Sequence, residues 1–256
     1  YSWQQLTEAE RKIFMQLAIF RGGFTRAAAE TVSGASLSIL ARLIDKSFVQ
    51  RIREDWYELH ELLRQYGAEQ LHQQPEYERA ARDRHCAYYC QLLQQQKGRL
   101  KNSDQSLALA EIEVNLQNIR VAWQWAVNHG QVDRLVKAQE SLNRFYDCQG
   151  MVSEGESVCQ QAIIGLHGST ASTVLRLYAQ LLAWQGVFSR KMGDTVKGEQ
   201  LLQQSLAFLN GAELSDNDVK CEKAFVLLHM GGTNREESKK FRLESLALYR
   251  SAKDKW

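Results

Sequence analysis

Pro75 is the only proline in the 256 residues of this chain. Proline punctuates loops and sheet edges and is expelled from helix interiors, so its near absence commits the chain to helices joined by short connections. Leu, Ala, Gln, Glu and Arg are abundant, and all are good helix formers. The sequence therefore predicts a mostly α protein with at most a small hairpin. With 44% hydrophobic residues it can build one large core or two modest ones.

The first 74 residues carry the clearest local signals. Thr7-Glu8-Ala9-Glu10 reads as a capping box, with Thr7 at the cap and Glu10 reaching back. The helix it opens places Ile13, Phe14, Leu17 and Ala18 on one face and is stopped by Arg21-Gly22-Gly23. A short helix over residues 26–32 ends at Ser33-Gly34. A third, over about residues 36–46, turns Leu37, Leu40, Leu43 and Ile44 inward. Residues 48–53 and 56–59 then alternate like strands around a Glu54-Asp55 turn. From His60 or Glu61 the pattern is helical again, with Leu62, Leu63, Tyr66 and Leu71 at helical intervals. A histidine at a strand-to-helix junction stands where backbone N–H groups are unpaired and anions are welcome.

Pro75 separates this region from a long helix, about 76–100, with Tyr77, Ala80, Ala81, Cys86, Tyr89, Leu92 and Leu93 on its apolar side. After a polar joint at 97–104, a helix over 108–128 repeats Ile112, Leu116, Ile119, Trp123 and Val127 at spacings of three and four, and His129-Gly130 ends it. A repeat follows. Tyr146, Gly150, Gly155, Cys159 and Ala162 recur as Ser189, Gly193, Gly198, Leu202 and Ser205, each 43 residues later. Leu142 and Tyr146 fit first-helix positions, and Gly186 fits where two helices approach closely. A third unit, 219–249, has Gly231-Gly232 in its turn and Ser245-Leu246 near its end.

Several of these words resemble a known family. Leu59-His60-Glu61-Leu62-Leu63-Arg64 resembles the Met-His-Asp segment that closes the winged-helix domain of signal-transduction NTPases of the STAND class. The winged-helix segment of bacterial STAND regulators is matched, in the same order, by Leu6-Thr7-x-Ala9-Glu10-Arg11 and by Leu17-Ala18-Ile19-Phe20-Arg21-Gly22-Gly23-Phe24. Ala27-Ala28-Ala29-Glu30 and Leu43-Ile44-Asp45-Lys46-Ser47 continue the match. Arg84-His85-Cys86-x-Tyr88-Tyr89 resembles the linking helix of these regulators. Asn115-Leu116-x-Asn118-Ile119-Arg120-x-Ala122 resembles the segment that opens their helical sensor. The 43-residue spacing resembles the tetratricopeptide (TPR) pattern, with glycine at 155 and 198 where alanine is usual.

The resemblance implies a winged-helix domain with a small β-hairpin over 1–74, connecting helices over 75–134, and an α-solenoid of TPR-like helical hairpins over 135–256. It implies that the winged helix packs against an upstream nucleotide-binding domain of the same chain. His60 would contact the β-phosphate of ADP in the resting state, and exchange for ATP would release that clamp. Glu61 stands where the family has Asp. On the tetratricopeptide register, the concave face would carry Lys137, Arg144, Arg190, Lys191, Lys220 and Lys223. Such cations suit an acidic peptide, a small acidic ligand or a protein partner.

Other chemistry is not indicated. There is no Gly-x-x-x-x-Gly-Lys-Ser/Thr loop and no nucleophile elbow, so the segment is not expected to be an enzyme, and ADP or ATP belongs to a longer parent protein. His85, Cys86 and Cys90 lack a second set of ligands, so no metal is expected. Five scattered cysteines fit reduced thiols in a cytosol, and no apolar run reaches the roughly 18 residues of a membrane span, so a cytoplasmic location without membrane association is expected. Net charge is +2, and the third helix offers Arg42 and Lys46 beside Asp45, so DNA binding is not expected. From Tyr1-Ser2-Trp3 to a helical pattern at Trp256, the chain reads as part of a longer protein. The alternative is a constitutive TPR-like scaffold whose winged helix is structural or binds DNA.

Overall fold

The structure is a computed structural model and describes residues 3–166, 171–211, 219–231 and 235–252. Tyr1, Trp256 and Gly232 of the expected Gly231-Gly232 turn lie outside the described residues. Among the described residues the chain is mostly helical, with a small three-stranded sheet. No single helix there is long and apolar enough to cross a membrane. The chain divides into two compact units, Tyr1–Gln95 with Leu107–Ala126, and Gln96–Ser106 with Val127–Trp256. The stretch 75–134, expected as connecting helices, is shared between them.

In the first unit, α1 (Glu8–Leu17) opens with the capping box: the Thr7 N–H donates to Glu10 Oε2 at 2.8 Å, and Thr7 Oγ1 accepts from the Glu10 N–H at 3.3 Å. After β1 (Phe24–Thr25) comes α2 (Arg26–Ser33), capped by Thr25 and closed by Gly34 in the left-handed region at φ 74°. Across Gly34-Ala35-Ser36 the chain bends by 103° into α3 (Leu37–Asp45), capped by Ser36. Then β2 (Gln50–Arg53) and β3 (Trp56–Glu58) form an antiparallel hairpin, and β1 pairs with the far side of β3 in the order β1-β3-β2. Phe24-Thr25 is too short to alternate, so periodicity predicts no strand there; its pairing with Trp56 and Tyr57 makes it one.

Leu37, expected inward, is 56% exposed, because α3 is short and buries only the narrow stripe of Leu40 and Leu43. Leu62 is likewise exposed on α4 (Glu61–His72). Pro75 does not stand between elements but starts α5 (Pro75–Arg99), where its missing N–H has no helical partner to lose. The single helix expected over 108–128 is broken at Asn115 into α6 (Gln105–Val114) and α7 (Leu116–Asn128). The side-chain amide of Asn115 donates to Glu111 O at 2.9 Å, competing with the backbone ladder at the break.

The second unit is a run of packed helices: α8 (Val132–Cys148), α9 (Val152–Gly165), α10 (Ser172–Lys191), α11 (Thr195–Gly211), α12 (Lys220–His229) and α13 (Arg235–Ser251). Helix α10 packs on α8, α9 and α11, and α12 packs on α11 and α13. The 43-residue correspondence has a physical basis. A Cβ at Gly155 would lie 2.5 Å from the Phe188 ring, and one at Gly198 would lie 2.7 Å from the carbonyl oxygen of Gly186. Alanine is excluded at both positions for lack of space. Equivalent serines also do equivalent work: Ser205 Oγ donates to Ala179 O and Ser245 Oγ to Ala224 O, both at 2.7 Å. That pairing fixes the register of the third hairpin.

Candidate functional site

His60 is the N-cap of α4 and its side chain is exposed. Its Nδ1 accepts from the Leu62 N–H at 3.4 Å. A ring nitrogen that accepts carries no proton, so with Nδ1 accepting, the ring's N–H is on Nε2, a donor beside the first turn of a helix. Glu61 does not cap. Its carboxylate takes a forked pair from Arg64, Nε to Oε2 at 2.7 Å and Nη2 to Oε1 at 2.6 Å, and accepts from Gln65 at 2.8 Å. Arg64 is buried and reaches Ala18 O at 3.5 Å, so this stretch anchors α4 to the end of α1 while His60 stays outside.

The two cations of α3 and its cap are engaged by α1. Arg42 Nε donates to Glu10 Oε1 at 2.8 Å, and Lys46 Nζ to Glu10 Oε2 at 2.9 Å. Glu10 is only 1% exposed, and hydrogen bonds from Lys46 and the Thr7 backbone hold its carboxyl down to about 2. On the hairpin, the Arg53 guanidinium lies over the Trp56 ring at 4.9 Å, and Arg26 lies 3.8 Å from Asp55. Charges that look available in sequence are thus largely tied to neighbours within the unit.

The six expected concave-face cations lie on α8, α10 and α12. Lys137 is exposed on α8, and Lys220 and Lys223 are half-buried on α12. Arg190 Nη1 donates to Glu199 Oε2 at 3.0 Å and to His229 O at 2.6 Å, clipping together the ends of α10 and α12 with α11. Lys191 pairs with Asp147. Arg144 alone among the six lines the cavity of this unit.

That cavity, of about 550 Å³, lies among α8, α10, α12 and the 97–101 stretch. At one side Lys97, Lys101 and Arg144 converge on Glu140, at 2.8, 3.1 and 3.4 Å. Burial pushes the Glu140 carboxyl up, but the hydrogen bond from Lys97 and the charges of Lys101, Lys97 and Arg144 outweigh it and hold it below the usual range. At the other side Glu222 Oε1 accepts from Arg176 Nε at 2.7 Å, from Arg176 Nη2 and from Gln180 Nε2 at 2.8 Å. Gln139 Nε2 in turn donates to Gln180 Oε1 at 3.1 Å. Trp184 and Phe225 also line the cavity, their ring centroids 4.7 Å apart. Glu222 Oε2 and Gln139 Oε1 are buried acceptors with no hydrogen-bond partner among the described residues. Left dry, each would cost about 1–3 kcal/mol.

Sequence reasoning missed Gln139, Gln180, Arg176 and Glu222. They sit on three helices with no motif spacing, and polar residues on a helix read as a solvated face. The described residues contain no group of three or more His, Cys, Asp or Glu placed to hold a metal. His85 is hydrogen-bonded to Asn118, and Cys86 donates to Ala122 O at 3.2 Å.

In comparison with known proteins, no family model and no solved structure matches. The chain aligns over its whole length, at 28% identity across 274 positions, with "Putative HTH-type transcriptional regulator Mb0914c" of Mycobacterium bovis and with "Putative HTH-type transcriptional regulator Rv0890c" of Mycobacterium tuberculosis. It spans 30% of the length of these curated relatives, of which it is a distant homologue.

Proposed function

We propose that the chain is the regulatory and sensor segment of a STAND-type signalling ATPase that acts as a transcriptional regulator in the cytoplasm. The first unit is read as a winged helix. Its order α1, β1, α2, α3, β2, β3 suits that fold, and the 103° bend between α2 and α3 falls within the range of helix-turn-helix pairs. In this reading the unit clamps the ADP-bound resting state against an upstream nucleotide-binding domain of the same chain. His60 donates its Nε2–H to the β-phosphate, and the N-terminus of α4 favours the negative charge. The second unit is read as a TPR-like solenoid that binds a ligand or partner and biases the clamp.

The observation that carries this reading is His60 itself, exposed at a strand-to-helix junction with Nδ1 tied to its own helix and Nε2 left as a donor. The relatives' printed name supports a regulatory role. Arg42 and Lys46 are held by Glu10, which argues against α3 as a phosphate-gripping helix on DNA. No catalytic role is assigned to this segment.

The test is His60→Ala in the full-length protein, with bound ADP measured after purification. Loss of retained ADP and raised basal activity are expected. Unchanged ADP and unchanged activity would favour the constitutive scaffold instead.

A further inference from the structure

The hydrogen bonds around the second unit's cavity leave no freedom in how its amides face. A carboxylate only accepts, so the Gln180 side chain must turn its NH2 to Glu222 Oε1, at 2.8 Å. Its oxygen then faces Gln139, which must answer with its own NH2, at 3.1 Å. The end of this relay is Gln139 Oε1, and its beginning is the second oxygen of Glu222. Both are buried, unpartnered acceptors, and both residues line the cavity.

Two acceptors without a donor ask for a ligand that supplies several N–H or O–H bonds, which a plain carboxylate cannot do. A simple amine meets the opposite objection. The charged residues lining the cavity are four cations (Lys97, Lys101, Arg144 and Arg176) and two carboxylates (Glu140 and Glu222), so a ligand with only positive charge would be repelled. One molecule carrying both charges answers both walls. Trp184 and Phe225 add an apolar surface, and the volume admits a molecule of amino-acid size.

We propose that this cavity binds a small zwitterion of the α-amino-acid class, its ammonium group drawn to Glu222 and Gln139, whose side chains turn to present Oε2 and Oε1 to it, and its carboxylate turned toward Lys97 and Lys101. The assignment deepens the sensor reading of the second unit and rests on it for its biological consequence, though binding itself is measured on this chain alone.

Isothermal titration of the 256-residue chain with each of the common L-amino acids reads it directly. For any that bind, the decarboxylated amine and the deaminated acid are titrated in parallel. At least one amino acid should bind with one-to-one stoichiometry, and both of its truncated analogues should bind at least ten-fold more weakly. Glu222→Gln should weaken binding ten-fold or more. Because Glu222 also anchors Arg176, Gln139→Leu serves as the second variant, with the same loss expected and the circular dichroism spectrum preserved. Absence of binding by every amino acid overturns the proposal, as does a deaminated acid that binds as tightly as its parent. Neither failure touches ADP retention through His60, so the two readings fall separately.

Discussion

His85 donates from Nε2 to the side-chain oxygen of Asn118, 3.3 Å away and sealed from solvent. The direction follows from the other bonds of that asparagine. Its Nδ2 is committed to Gly23 O at 3.0 Å, so Oδ1 faces both His85 and the Arg21 N–H at 2.8 Å, and an oxygen can only accept. One side chain of α7 thereby holds α5 and the turn after α1. The rings of Phe20 and Tyr89 close around the imidazole, with centroids at 5.2 and 4.7 Å. The two segments that resemble a linking helix and a sensor opening meet here.

This arrangement makes the first unit sensitive to mild acid. Burial holds the His85 imidazole down to about 4, from an ordinary 6.5, against the smaller opposing effect of the Asn118 bond. Between those values the unfolded chain takes up a proton that the folded chain refuses. Stability from this source is therefore complete above pH 6.5 and is lost as pH falls from 6.5 to 4, by about 3 kcal/mol in all. Urea unfolding followed by tryptophan fluorescence at pH 7, 5.5 and 4.5 should show the decline. In His85→Gln the slope across this window should flatten, and an unchanged slope would assign the effect to another group.

Asn118→Leu tests the same node by geometry rather than by charge. Leucine is close in size but leaves the Arg21 N–H, Gly23 C=O and His85 without their partner. The first unit should lose about 2–4 kcal/mol, since each stranded buried group costs its full desolvation. The urea midpoint at pH 7 measures it.

What could be read in the sequence divides along one line. A helix start whose signal is local, Thr7 with Glu10, stands where the pattern puts it. The His60 junction is of this kind, because it depends only on a strand ending where a helix begins. Features that need a distant partner were hidden. The sheet needed Tyr57 before Phe24 could become a strand, and Arg190 and Lys191 looked available because Glu199 and Asp147 lie elsewhere in the chain. The cavity is the extreme case, with Gln139, Gln180 and Glu222 meeting only after α8, α10 and α12 have packed.

The close approach of α10 and α11 yields a prediction for the second unit. Adding one methyl at Gly198 places it 2.7 Å from the Gly186 carbonyl oxygen and 2.3 Å from Arg190 Cγ, and the backbone side of that clash cannot swing away. Gly198→Ala should destabilise the second unit by about 2–3 kcal/mol despite alanine's better helix propensity. Gly98→Ala, on α5 with open space around it, should be neutral or stabilising by up to about 1 kcal/mol. Trp184 is the described tryptophan of that unit and reports on its unfolding. Equal effects at both positions would mean that helix propensity, not crowding, sets the outcome.

Glu10 predicts a second acid window, lower than that of His85. The carboxylate accepts from Thr7, Arg42 and Lys46, and the hydrogen bond from Lys46 does most to hold it at about 2, against 4.5 for an ordinary glutamate. A carboxyl whose folded value is depressed contributes stability that is present above 4.5 and disappears as pH falls toward 2. Glu10→Gln keeps an acceptor for the Thr7 N–H but removes the charge shared by Arg42 and Lys46. The variant should lose about 1–2 kcal/mol at pH 7, because its two cationic partners can still reach water and recover part of the loss. As pH falls to 2 and below, the gap between the variant and the parent should close, since protonation then removes the same charge. A gap between them that persists undiminished at pH 2.5 would show that the side chain acts through shape and capping alone, and that the ion pairs to α3 contribute nothing.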